Sequence, residues 1–215
     1  MDHLLQVRAR VRNGLLSFKA VADVLAGTPD PKLYIRYLVN VWHYARHSAT
    51  VIALAGARCV AADPKLAAYL MRHAEEELGH DQWALDDLAA LGVGEEVVRA
   101  SRPVAACAAM IGYEYYTAGY ANPVGLFGWL YVLEAMGDDL GGLVSERLSG
   151  GLALPDGVKF LAGHGVADEE HTRDITAQIA DNVRDADLPE IHFVAEVVGD
   201  LYVRMFEEIG RGGGP

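Results

Sequence analysis

The chain has 215 residues, 52% of them hydrophobic, and a formal net charge of -12 at pH 7. That is enough for one well-buried domain, expected over residues 1–209 with a disordered tail at 210–215. The acidic balance argues against nucleic acid and anionic membrane as partners, and no long uncharged apolar run reads as a membrane span.

Helical periodicity runs through the chain, and no convincing alternating strand pattern occurs. Leu4, Leu5, Val7, Val11, Leu15 and Leu16 predict a helix from Asp2 to about Ala26, ended by Gly27-Thr-Pro-Asp-Pro31. A second, largely apolar helix runs from Lys32 to about Cys59. Asp63 before Pro64 is an N-cap with proline at the first helical position, opening a third helix that ends near Leu91. Ser101-Arg-Pro103 opens a fourth, to about Ala118. Asn122-Pro123 opens a fifth, interrupted by glycines, and Leu154-Pro-Asp156 a sixth. Asp187-Leu-Pro189 opens the last, to about Ile209. About seven helices with short links make an all-α bundle. Met1–Gly14 lacks a basic region followed by an apolar core, so no signal peptide is expected. Cys59 and Cys107, far apart, suit free thiols in a reducing, cytoplasmic setting.

Six of the eight histidines fall in three of these helices. His43 and His47 lie in the second, His73 and His80 in the third, His164 and His171 in the sixth. In the sixth, His164-Gly-Val-Ala-Asp168-Glu-Glu-His171 stacks two imidazoles and a carboxylate on one face, at about 100° per residue. That is a set of metal ligands, although Glu169, Glu170, Arg173 and Asp174 also suit a solvated face. In the third helix the apolar stripe is Leu70, Ala74, Leu78, Leu85 and Leu88, with His73, Glu77 and His80 along its flank. Glu77 lies about 60° from the stripe centre and Glu76 about 160°, so Glu77 is expected to lean inward and Glu76 to face water. Glu134 follows Trp129-Leu-Tyr-Val-Leu with no base nearby. Burying it unpaired costs on the order of 3 kcal/mol or more, which a metal or a tyrosine hydroxyl would offset.

Together these residues offer about six ligands without thiolate, which suits iron or manganese and the needs of two metals sharing carboxylates. A ferritin-like site needs a carboxylate on a fourth helix. The second helix has none between Leu33 and Ala57, unless His43 or His47 takes its place.

Over roughly residues 5–208 the sequence resembles the heme-oxygenase-like diiron oxidases and oxygenases, which share the seven-helix fold of heme oxygenases and thiaminase-II-type proteins. His164-x3-Asp168-x2-His171 matches that family's ligand motif, His80 the histidine of its third core helix, and Glu134 its bridging carboxylate. Many members carry a glutamate seven residues before that first histidine. His73 stands there in this chain, so either His73 is a ligand or Glu77 replaces the carboxylate. The resemblance implies two Fe(II) per chain, O2 as co-substrate, a small-molecule substrate, an external electron donor as a candidate partner, and a homodimer. The expected reaction is N-oxygenation of an amine in a biosynthetic pathway, with oxidative C–C cleavage of a small acid or amino acid as the alternative. A non-catalytic metal- or heme-binding helical protein is the alternative of another class. A thiaminase-like nucleophile would belong on the helix of Glu134, whereas Cys107 lies one helix earlier. His3 is poorly placed as a heme ligand, which leaves His43 or His47. Trp42, His43, His47, Tyr113, Tyr116 and Trp129 are the expected surroundings of the substrate.

Overall fold

The computed structural model describes residues 1–152 and 155–212. Its helices are α1 (Asp2–Leu16), α2 (Lys19–Leu25), α3 (Pro31–Cys59), α4 (Pro64–Glu76), α5 (His80–Ala90), α6 (Glu95–Ala100), α7 (Ala105–Gly119), α8 (Leu126–Met136), α9 (Gly142–Leu152), α10 (Lys159–Asn182) and α11 (Leu188–Gly210). A π-helical turn at Gly137–Gly141 joins α8 to α9. The chain is all-α among the described residues, but with more helices than the seven expected.

Each extra break has a local cause. Phe18 is extended (φ -76, ψ 132), so the first predicted helix becomes α1 and α2. Gly79 adopts φ +89, a left-handed conformation open to glycine, and splits the third predicted helix into α4 and α5. Leu78, expected in the apolar stripe, is consequently 69% exposed. The short α6 is too brief for its periodicity to show. The sixth predicted helix starts at Lys159. Its first backbone N–H groups, those of Lys159 and Phe160, donate to Asp87 of α5 at 2.7 and 2.9 Å, so the cap comes from another helix. Leu154, expected near its start, lies outside the described residues, as does the tail from residue 213.

The long α3 starts where Asp30 accepts a hydrogen bond from the Lys32 N–H, with Pro31 following as the first helical residue. It packs on α4, α5 and α7, while α11 packs on α8, α7 and α1. α10 lies against α8 and the π-helical turn. Among the described residues no helix is long and apolar enough to cross a membrane.

Candidate metal centre

Four elements bring seven polar side chains together. His73 sits in the last turn of α4, and its Nε2 lies 3.2 Å from Glu134 Oε1 on α8. His171 of α10 places Nδ1 3.1 Å from the other carboxylate oxygen of Glu134. The two imidazole rings are 4.7 Å apart. Glu77 forms the C-cap of α4 and turns inward, while Glu75 and Glu76 stay exposed, as their helical positions predict. The break at Gly79 then brings His80, the first residue of α5, back onto Glu77, with Nδ1 3.1 Å from Oε1. The His80 ring is 4.8 Å from that of His164 and stacks on Trp83 at 4.1 Å.

Two ligand sets result. Atoms of His73, Glu77, Glu134 and His171 lie within 4.8 Å of one another, and so do atoms of Glu77, His80 and His164. Glu77 belongs to both. Family resemblance casts Glu134 as the bridge and groups His164 with Asp168 and His171. In the structure Glu77 is the shared carboxylate, Glu134 joins two histidines, and His164 faces His80. His73 and Glu77, posed as alternatives, both sit in the cluster. Asp168 falls in neither set. It is 2% exposed and packs against Gly137, where a Cβ would overlap its carboxylate.

These residues fit a divalent cation. Glu77 Oε1, His80 Nδ1 and Asp168 Oδ1 are buried without a hydrogen-bond partner, at a cost of about 1–3 kcal/mol each that a cation would remove. Imidazole and carboxylate donors without thiolate suit iron or manganese. His164 Nδ1 donates to the Phe160 carbonyl at 2.9 Å, which leaves Nε2 as its free lone pair. Glu76, which the sequence suggests only as a solvated residue, stands with Oε2 3.6 Å from His73 Nδ1 and 3.8 Å from His171 Nε2, on the outer side of both rings.

Protons are shared unevenly. Burial pushes the Glu134 carboxyl up, but the hydrogen bonds from His171 and His73 outweigh it and hold the group below its ordinary range. Burial, together with the charge of Glu134, pushes Asp168 up to about 11. His171 is raised, because Glu134 outweighs the effect of burial; His164 is lowered by burial.

A cavity of about 640 Å³ ends on Glu77, Glu134, His164 and Asp168. Apolar side chains such as Ile52, Leu130, Leu133, Met136, Leu140 and Phe160 form most of its inner wall, and Tyr34, Tyr37, Tyr44 and Tyr202 add hydroxyls. Of the residues expected around the substrate, only Trp129 lines this space. Trp42 is buried beneath the Arg46 guanidinium, 4.5 Å from its ring. His43 Nε2 bonds Ser101 Oγ at 2.9 Å, and His47 Nδ1 bonds the Tyr115 hydroxyl at 3.0 Å. Tyr113 and Tyr116 stack on each other along α7, with Tyr116 exposed. The reason is rotational: on α3 the cavity stripe is Tyr34, Tyr37, Tyr44, Ser48 and Ile52, and His43 and His47 stand about 60–100° away from it. Neither histidine reaches the cluster, so neither supplies a fourth ferritin-like element. Cys107 is a core thiol, pushed up to about 12 by burial.

A family model described as iron-containing redox enzyme matches residues 35–202. A domain of unknown function with a heme oxygenase-like fold from Shewanella denitrificans OS217 superposes with a TM-score of 0.86 at 26% identity, over 96% of this chain and 90% of that one. A TenA homologue from Pseudomonas syringae pv. tomato DC3000 superposes with a TM-score of 0.80 at 15% identity, over 98% of this chain and 92% of that one. Another from Pyrococcus furiosus has a TM-score of 0.78 at 14% identity, over 97% and 98%. At such identities the TenA homologues speak for the fold alone. The sequence matches no curated protein. With the family match spanning most of the chain and the heme oxygenase-like fold in common, this protein belongs to the iron-containing redox enzyme family.

Proposed function

We propose that the chain is a non-heme dinuclear iron oxygenase or oxidase that uses O2 to oxidise the polar end of a small, otherwise apolar molecule. The observation that carries this reading is the position of Glu77 within both ligand sets. One iron would be held by His73, Glu134 and His171, the other by His80 and His164, with Glu77 between them and Asp168 adjoining. Two Fe(II) ions there would supply the electrons that reduce O2 and the oxidising power delivered to the substrate. The chain's own part is to bind, orient and keep water out.

The favoured reaction is N-oxygenation of an amine in a biosynthetic pathway. The inner cavity holds no lysine or arginine, and Lys19 and Arg211 sit at its mouth, already paired with Asp23 and Glu207. A carboxylate on an amine substrate, held away from the metals, would therefore be buried without a counter-charge, which disfavours amino acids. The lining carboxylates Asp23, Asp30 and Glu207 outnumber those bases and favour entry of a cationic amine. The apolar wall fixes the substrate body and leaves its polar end at the ligand cluster. In the metal-free chain burial and the neighbouring charge of Glu134 favour the protonated form of Asp168, whose proton would be released on ligation. Oxidative C–C cleavage of a simple acid is the second reading: with no cationic side chain in the inner cavity, a carboxylate could be neutralised only at the metals.

The test is to load the chain anaerobically with Fe(II), then add O2 with either decylamine or decanoic acid, and follow O2 uptake and product mass. Gain of oxygen on the amine nitrogen supports the first reading, and loss of CO2 from the acid selects the second. Iron-loaded protein that consumes no O2 with either compound would argue for a non-catalytic metal-binding protein. A homodimer and an external electron donor belong to the same proposal. Sedimentation velocity tests the first, and turnover with and without added reductant the second.

A further inference from the structure

We infer that Arg8, which lies outside the ligand cluster, is a positioning residue for the metal centre: it clamps the π-helical turn on which Asp168 is seated. The inference rests on the metal reading above. The turn at Gly137–Gly141 directly follows the helix that carries Glu134. π-helical turns are rare, less favourable than α-helix, and persist where something holds them.

Arg8 of α1 supplies that hold. Its Nε donates to Asp139 Oδ2 at 3.0 Å, and its Nη2 to Asp139 Oδ1 at 2.6 Å and to Asp138 Oδ2 at 2.8 Å. The fork grips one carboxylate with two donors and ties in the next. The three side chains are only 18–25% exposed, so this is not a loose surface pair. Another side of the same turn meets α10 through glycine. Gly137 leaves the room that the Asp168 carboxylate occupies. A Cβ on Gly165 would come within 2.6 Å of the Gly142 nitrogen, and one on Gly141 within 3.1 Å of the Gly165 Cα. The helix bearing His164, Asp168 and His171 thus rests directly on the turn, and the depth of its ligands follows the turn's position.

Co(II) binding to the full-length chain tests this, because Co(II) reports both affinity and ligand geometry through its visible absorption. Wild type is expected to bind two Co(II). Arg8→Gln is expected to stay folded, bind one of the two at least about ten-fold more weakly and show a changed absorption band, as for loss of an orienting partner. Arg8→Lys keeps the charge without the fork and should fall between the two. Asp139→Asn removes the two-donor grip by a milder change and should shift the band in the same direction, so a poorly folding Arg8 variant still leaves a result. Folded Arg8 and Asp139 variants with wild-type stoichiometry, affinity and spectrum, differing only in melting temperature, would reduce Arg8 to a structural tie and leave the metal reading intact. Wild type that binds no Co(II) would overturn both.

Discussion

The two halves of the ligand cluster solve the problem of buried polarity differently. Around Glu134 the side chains satisfy one another: the carboxylate spans His73 and His171, and their hydrogen bonds hold it below its ordinary pKa. Around Glu77 they do not: Glu77 Oε1 and His80 Nδ1 approach to 3.1 Å yet remain without hydrogen bonds. The first half stands on its own, whereas the second leaves lone pairs unused. A cation entering the second half gains donors that cost nothing to release, while in the first it must displace protons from existing hydrogen bonds.

Substitutions at the two carboxylates should break this contrast most strongly. Glu77→Ala removes the donor common to both sets and is expected to lower metal content from about two ions per chain to less than about one. Glu134→Ala should retain about one ion, at His80 and His164. Metal analysis of anaerobically loaded protein separates the two outcomes, and equal losses would deny Glu77 its special place. Next in size is Gly137→Ala. The new methyl group has no room beside Asp168, so a stability loss of about 1–3 kcal/mol is expected in chemical denaturation, together with weaker metal binding.

The pH dependence of the metal-free chain sharpens the comparison further. Asp168 has a folded pKa of about 11 against an ordinary 3.8, so between these values the unfolded chain has lost a proton that the folded chain keeps. Stability therefore falls as pH rises. The depressed pKa values of His43, His47 and His164 act in the opposite direction, but only up to their ordinary value of 6.5. Glu114, fully buried, and His171 are also raised and act in the same direction as Asp168, so from about pH 7.5 to about pH 9, above the range of the depressed histidines, stability is expected to fall with pH, by on the order of 1 kcal/mol per pH unit for each group that keeps its proton. Asp168→Asn should reduce that slope and leave the share of Glu114, and a wild-type slope of zero would contradict the protonated carboxyls. The smallest effect is expected at Glu76. It stands 3.6 and 3.8 Å from His73 and His171 and is half exposed, so Glu76→Gln should weaken metal binding by no more than about ten-fold and leave stability within about 0.5 kcal/mol.

Much of this was legible in the sequence where one helix carries the information. His164, Asp168 and His171 do share one face of α10, which is continuous across them, although His164 and His171 fall in different ligand sets and Asp168 in neither. Glu134 was conspicuous as a carboxylate in an apolar run, and the inward lean of Glu77 followed from its angle on α4. Features that need two elements at once were hidden. The third helix looked continuous, and only the left-handed Gly79 explains how Glu77 and His80 come to face each other across a bend. The sharing of Glu77 depends on that bend and has no signature in spacing. Cavity residues on α3 were missed for a different reason. Tyr34, Tyr37 and Tyr44 and the conspicuous Trp42, His43 and His47 all occur at helical spacing, and which stripe faces inward is decided by packing against α4, α5 and α7.

The central claim, that two metals share this cluster through Glu77, is tested most directly by counting Fe(II) in the anaerobically loaded wild-type chain beside Glu77→Ala. The account predicts about two ions per wild-type chain and less than about one in the variant. Wild-type protein that holds less than about one iron, or a variant that keeps two, would contradict it.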